Sequence, residues 1–541
     1  MTRKMQTLAT STLPKLLTQI LSSDGLVQAV RALQPSALCR LINHIGLEDA
    51  AELVALASTA QLTQVFDEDL WHANKPGQEE HFDAARFGLW LAVLLEAGEQ
   101  FAAQKLTELP EELVMLAMHQ QLLVINLDEL AVQLTSGSED YTAQLEKALE
   151  SLPHHEFEEY CVIARQHDGW DALLNVLVAL DEQHHDFLQQ LLARCCHASS
   201  EYIADNGGLY EVLTSEQMLE EDAAAAREDR RAIEGYVAPT AATAFLNLAR
   251  TTPLAQLLKP QARDPLTRAY FRLYQTGSKE SHARKQSVSA ASPNDRGADS
   301  LPTLMQLLKD AAVLPSAQAA LQLPEGSSPP TELLLREVLV LLSAQTPDTH
   351  TERVRELSYL ANVILSGCSW ESRRFRPLEA AESALAIANL GLLRLLVTDA
   401  SAEMSPPQRH IKLLQQYGAE QLFSIGFHIL FSEVQLPVGK ALLQLLTRST
   451  KTQTAYLSTT KLQQLQRTAQ AAITAGRPYS LRPLLSELGP LLPAQTRTVL
   501  AGLLEECPRL SSNPEQPSVP IGTLKQLTEA VQLVASLLPA E

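Results

Sequence analysis

The chain has 541 residues, 45% of them apolar but only 5% aromatic, and a formal net charge of −20. Leu and Ala dominate the apolar set, which favours helices and sets aside a protein built mainly of β-sheet. Residues 1–250 carry 15 Lys and Arg against 39 Asp and Glu, residues 251–541 carry 28 against 24, and so acidic a first part argues against a nucleic-acid ligand.

In chain order, the opening MTRKMQTLATSTLPKLLTQIL has no continuous apolar core for a secretory signal. It is rich in Ser and Thr and has no acid before Asp24, as in a transit peptide, and an amphipathic first helix fits it equally. LQPSALCRLINHIGLEDAAELVALASTAQLTQVF then predicts three short helices. Pro35 suits a first helical turn, Gly46 a stop, and Ser58 with Gln61 has capping-box spacing. LTELPEELVMLAMHQQLLVINLDEL, residues 106–130, reads as more of the same, and helices this short must stack on neighbours. The phrasing of residues 1–65 is similar to the N-terminal superhelical domain of bacterial magnesium transporters, a resemblance that implies a packing style and not transport.

FDEDLWHANKPGQEEHFD, residues 66–83, reads as an acidic loop around Lys-Pro-Gly, and Phe82 to Gly98 as a long buried helix containing Trp90. Residues 141–250 continue as helices, and no strand of consequence is predicted anywhere. In REDRRAIEGYVAPTAATAFLNLAR, residues 227–250, Gly235 ends one helix and Pro239 starts the next, with Arg230 spaced to pair with Glu234. Tyr236 lies in that hinge and is a candidate partner contact. Residues 276–302 are poor in large apolar side chains and predict a flexible linker, extended by PEGSSPP at 324–330. Helices resume from 331 to about 507, and a tail loop precedes a last amphipathic helix at 521–538. No apolar run approaches the roughly 20 residues of a membrane span. The six cysteines are irregularly spaced, as in a reducing cytoplasm.

Two stretches suggest chemistry. In SGCSWESRRF, Cys368 and Arg374 have the spacing of a thiolate phosphate cradle, but Trp370 and Glu371 fill the interval where small residues are needed. A turn between two helices, with Pro377 and Glu379 opening the second, accounts for it better. Arg373, Arg374 and Arg376 remain candidates for an anion or partner contact. Residues 154–197 hold six of the fourteen histidines. Glu182 and His185 have the spacing of one helix face in carboxylate-bridged metal sites, and His155 with Glu159 lies one helical turn apart. A second Glu-x-x-His is missing, so solvated faces account for these residues and no cofactor is expected. Nucleotide-binding and hydrolase motifs are also missing.

Three stretches, 227–250, LSYLANVILSGCSWESRRFRPLEAAESALAIANLGL and LLEECP at 503–508, together with PGQEEHFDAARFGLWLAVLLEAG, resemble an uncharacterised bacterial family known only as a domain of unknown function. That resemblance implies a bacterial cytoplasmic protein and carries over no site residue.

The expected architecture is all-α, with a solenoid-like N-terminal part and a second helical domain after a flexible linker. Its divisions are a short-helix domain at 1–140, an acidic His-rich domain at 141–275, the linker at 276–330, a C-terminal domain at 331–510 and a tail helix at 511–541. The expected function is a non-enzymatic scaffold or adaptor for a protein partner, without membrane span or nucleic acid. The alternative is a metal-binding protein or metalloenzyme using residues 154–197.

Overall fold

The computed structural model describes residues 25–73, 77–128, 152–204, 215–233, 235–260, 263, 265, 267–272, 304, 333–398, 405–451, 459–489, 491–511 and 518–537. The chain is predominantly helical, as expected from its Leu- and Ala-rich composition. Apart from Leu304, the expected linker lies outside the described residues, as does the opening stretch to residue 24. The described residues fall into two compact units, drawn from 1–72, 80–230 and 281–319 and from 73–79, 231–280 and 320–541.

The first unit opens with α1 (Leu26–Ala32), α2 (Pro35–Ile45), α3 (Ala51–Leu56) and α4 (Thr59–Asp69). Their ends follow the local signals. Pro35 begins α2, Gly46 closes it at φ +107°, and Ser58 and Gln61 form the reciprocal capping box of α4. The short pair β1 (Trp71–His72) and β2 (His81–Phe82) leads into α5 (Ala84–Glu96), α6 (Glu99–Glu108) and α7 (Glu111–Gln121). Asp83 caps α5 by accepting a hydrogen bond from the Arg86 amide. Trp90 is fully buried edge-on against Phe66, and its indole N–H donates to Asp69 at 2.7 Å.

The expectation of no strand of consequence is overturned here. Residues 122–126 leave the helical pattern as β3 (Leu122–Asn126), which joins β4 (His154–Phe157) and β5 (Tyr160–Ala164) in an antiparallel sheet of order β3-β5-β4. The β-branched Val124, Ile125, Val162 and Ile163 fit a pleated surface, and the run before them ends α7 at Gln121. Val124, Phe157 and Val162 face the unit's main core, while Cys161 and Ile163 make a small cluster on the other side. The unit continues with α8 (Trp170–Gln183), α9 (His185–Ala204), which packs on β3, and α10 (Ser215–Ile233).

The acidic stretch at 66–83 receives arginines from α10. Arg227 donates to Glu80 at 2.7 Å with both side chains at most 6% exposed, donates to the Asp67 carbonyl, and lies over the Trp71 ring. Arg230 makes a two-pronged contact with the Asp67 carboxylate at 2.7 and 2.9 Å. The expected local pair of Arg230 with Glu234 falls outside the described residues, which do not include Glu234.

The second unit contains α11 (Pro239–Thr251), α12 (Leu254–Leu257), α13 (Leu334–Gln345) and α14 (Pro347–Gly367). The hairpin β6 (Ser369–Trp370) and β7 (Arg373–Arg374) follows, then α15 (Pro377–Thr398), α16 (Pro406–Gln416) and α17 (Ala419–Ile429). A π-helical turn, Leu430–Gln435, joins α17 without a break to α18 (Leu436–Lys451). Then come α19 (Thr459–Thr474), α20 (Leu484–Glu487), α21 (Ala494–Leu503), the pair β8 (Arg509–Leu510) and β9 (Val519–Pro520), and α22 (Leu524–Leu537).

Its centre is the crossing of α15 and α17. A Cβ on Gly391 would stand 1.9 Å from the Leu422 carbonyl oxygen, and one on Gly426 1.9 Å from that of Ile387, so only glycine permits the approach. Beside it, Asn389 accepts from the Leu335 amide and donates to the Gly522 carbonyl, tying α13 and the lead-in to α22 onto α15. A second buried network joins Arg353 to Glu356 through two hydrogen bonds, and Glu356 also accepts from the Ala419 amide at the start of α17. Arg263 adds contacts to Glu352, Glu356 and Glu420.

Two stretches, Pro377–Thr398 and Ala419–Ser449, are apolar enough to cross a membrane by length and composition alone, which the search for unbroken apolar runs missed. In the first, 61% of the most apolar window is buried by the rest of the protein.

Candidate functional site

Three of the stretches singled out in the sequence meet in the second unit, around the β6–β7 hairpin. Trp370 pairs with Arg373 and Ser369 with Arg374, leaving a two-residue turn. Its residues Glu371 and Ser372 have φ of +51° and +64°, a left-handed turn usually filled by Asn and Gly. The expected turn is therefore found, as a hairpin. Cys368 caps the end of α14, 1% exposed, while Arg374 is exposed on the outer strand.

The segment after α21 grips this hairpin by its backbone. Glu506 accepts from the Ser369 amide and Glu505 from the Glu371 amide, so adjacent carboxylates hold alternate amides of β6 and its turn. Arg482 lies 2.7 Å from the Glu505 carboxylate. The Glu505 carbonyl accepts from Gln435 at 2.6 Å, which brings in the π-helical turn. The sulfurs of Cys507 and Cys368 lie 3.8 Å apart, with the Cys507 thiol as donor. From the third stretch comes Arg250, 5% exposed, whose guanidinium lies over the rings of Tyr479, Phe427 and Phe431 at 4.9, 5.4 and 5.9 Å.

Burial governs the protonation of this cluster. It pushes Glu505 up to about 7, against the pull of Arg482, and raises Glu506 despite the Ser369 hydrogen bond and Arg250. The Cys507 hydrogen bond and burial together drive Cys368 well above an ordinary thiol, with Arg250 opposing them. Burial also raises Tyr479 and lowers Arg509. Such a cluster can hold a proton, and its two thiols can give up two electrons by forming a sulfur–sulfur bond.

Of the candidate arginines, Arg373 is turned into the fold. Arg373 holds Glu379 through two hydrogen bonds of 2.9 Å, and Glu379 also accepts from the Arg376 amide. Burial alone would raise Glu379, but these contacts keep it below the ordinary value. Trp370 carries two guanidinium groups, those of Arg509 at 4.1 Å and Arg373 at 4.4 Å. Arg376 is exposed at the entry to α15. Tyr236 is half-buried under the Arg231 guanidinium, 3.5 Å from its ring, so the hinge aromatic is a packed corner.

The histidine candidates do not assemble as the sequence predicts. His155 and Glu159 share no helix. His155 stands on β4 against Phe157, and Glu159 sits in the turn before β5. Glu182 and His185 straddle a break, since α8 ends at Gln183 and α9 begins at His185. His185 instead faces Asp181 at 2.9 Å and Glu158 at 3.6 Å; the Asp181 hydrogen bond leads in raising its pKa. Among the described residues no three of His, Cys, Asp and Glu are grouped to hold a metal ion.

Sequence reading passed over Glu505, Glu506, Cys507 and Arg250, although their stretches were noticed. The available signal was charge inside otherwise apolar segments: Arg250 closing an apolar helix, and two glutamates preceding Cys507 and Pro508.

No curated protein matches the chain, and no solved structure does. The likeness of residues 1–65 to magnesium-transporter domains is not shown. Residues 3–206 match the model of a family of unknown function, DUF6178, which agrees over that part of the chain with the expected resemblance to a family without an assigned function.

Proposed function

We propose that the protein is a non-enzymatic interaction scaffold, acting in the reducing cytoplasm of a bacterium and presenting its acidic first part to a basic protein partner. One observation carries this reading. Several of the side chains singled out in the sequence are engaged in holding the fold together: Arg373 on Glu379, His185 between Asp181 and Glu158, and Arg227 and Arg230 on Glu80 and Asp67. The exposed acids left over, such as Glu221 and Asp222 on α10, give the first part its negative surface. Charge of one sign on a rigid helical surface speeds and selects encounters with the opposite sign.

The test is isolation of the native complex at low salt, then reconstitution from purified components. The expected result is a fixed stoichiometry, an affinity that falls as salt rises, and weaker binding by the double variant Glu221→Lys and Asp222→Lys. Stoichiometric iron, manganese or zinc, lost in His185→Ala, would overturn the scaffold reading in favour of a metal-dependent role for residues 154–197.

A further inference from the structure

We infer that Cys368 and Cys507 form a reversible dithiol latch, closed by hydrogen peroxide and opened by a thiol reductant, that locks the β6–β7 hairpin onto the segment following α21. The two sulfurs lie 3.8 Å apart across 139 residues of chain, and a disulfide requires about 2.05 Å, a gap that small side-chain rotations close. The other four cysteines lack this arrangement. Cys39 lies beside Asn43, Cys161 lies on the sheet, and Cys195 and Cys196 are successive residues of α9 whose side chains point in different directions.

Both sulfurs are buried at 1% exposure, so oxidation needs an opening, and the hairpin supplies the place for it. Its strands are two residues long, and its exposed turn holds two non-glycine residues at positive φ. Swinging the hairpin away from Glu505 and Glu506 uncovers Cys368 at its base. Arg250 is the cation that favours a thiolate there, and the Cys507 thiol donates toward the same sulfur.

The chemistry balances without a cofactor. Cys368 loses its proton, and its sulfur attacks one peroxide oxygen. The O–O bond breaks, a sulfenic acid forms, and the departing hydroxide takes the proton as water. The Cys507 sulfur then attacks the Cys368 sulfur, the S–O bond breaks, and a second water leaves with the Cys507 proton. Two thiols are oxidised and one peroxide is reduced to two waters.

The full chain, purified reduced, is treated with hydrogen peroxide, quenched, denatured and titrated for thiols. Free thiols are expected to fall from the six of the sequence to about four, with a linked peptide pair containing Cys368 and Cys507 that dithiothreitol separates. In the closed form, amide exchange at 369–374 should slow at least tenfold. Wild-type peptide mapping stands even if Cys368→Ser or Cys507→Ser fails to fold. The inference is overturned if all six thiols survive, if a different pair links, if Cys368 passes to sulfinic acid without linking, or if exchange in the hairpin does not change.

Discussion

Two sites, one in each unit, bury carboxylates in different ways. In the first, Asp67 and Glu80 meet arginines from α10 across more than 140 residues of chain, with two-pronged or fully buried geometry. In the second, the Ser369 amide holds Glu506, and the Glu371 amide with the partly exposed Arg482 holds Glu505, and burial lifts both toward the protonated form. A bidentate cation keeps a buried carboxylate charged and fixes a distant helix. A backbone amide positions the group but leaves its charge exposed to the cost of desolvation. The first arrangement is a clamp, and the second is a site whose state can change.

The sharpest way to break the comparison is to remove the cation from the clamp. Arg227→Ala takes the buried guanidinium away from Glu80, the Asp67 carbonyl and the Trp71 ring and should cost about 3–5 kcal/mol in equilibrium unfolding. Arg230→Ala, with the more exposed guanidinium, should cost less. A loss under 1 kcal/mol at Arg227 would show that the clamp is not needed. For the second unit, Gly426→Ala sets a comparable scale through sterics alone, since its Cβ meets the Ile387 carbonyl at 1.9 Å. At least about 3 kcal/mol is expected, read as a lower melting temperature with unchanged helical circular dichroism at low temperature.

The titration of Glu505 sharpens the contrast next. Its folded value of about 7 lies above the ordinary 4.5, so the folded state holds the proton more tightly. That stabilisation is fully present below about pH 4.5 and is lost as pH rises through about 7. The facing charges are Arg482, Glu371 and Glu506, and Glu420, also raised to about 7 by burial and Glu356, acts in the same direction. Glu505→Gln should flatten part of the fall in stability between roughly pH 5 and 8, seen in urea melts across that range. An unchanged slope would assign the whole dependence elsewhere. The smallest effect concerns the turn. Ser372→Gly removes a non-glycine residue from φ +64° and should stabilise by about 0.5 kcal/mol, provided the long 3.4 Å contact from Arg482 to the serine hydroxyl contributes little.

Much of the helical framework was legible because its signals are local. The Ser58–Gln61 box, Pro35, the Gly235 stop and the Pro377–Glu379 start each depend on residues within one turn of the boundary. The sheet was not legible, because LLVI at 122–125 is a short apolar run following a helix, and a buried helix and a buried strand share that pattern. Glu182 and His185 misled for a related reason: their spacing implies one face only within one helix, and the chain turns at His184. Cys368 meeting Cys507, and Arg230 meeting Asp67, depend on which distant segments adjoin, and residue spacing does not encode that.

The π-helical turn at Leu430–Gln435 is in effect one residue inserted into a continuous rod from Ala419 to Lys451. One residue of helix corresponds to about 100° of rotation, so the sides addressed before and after the turn are offset by that angle. The upstream half can therefore press Gly426 into the glycine crossing while the downstream half lies along α19. Deleting Ser432 would restore plain α-helical winding and swing the Gln435 amide away from the Glu505 carbonyl, uncoupling the rod from the segment that grips the hairpin.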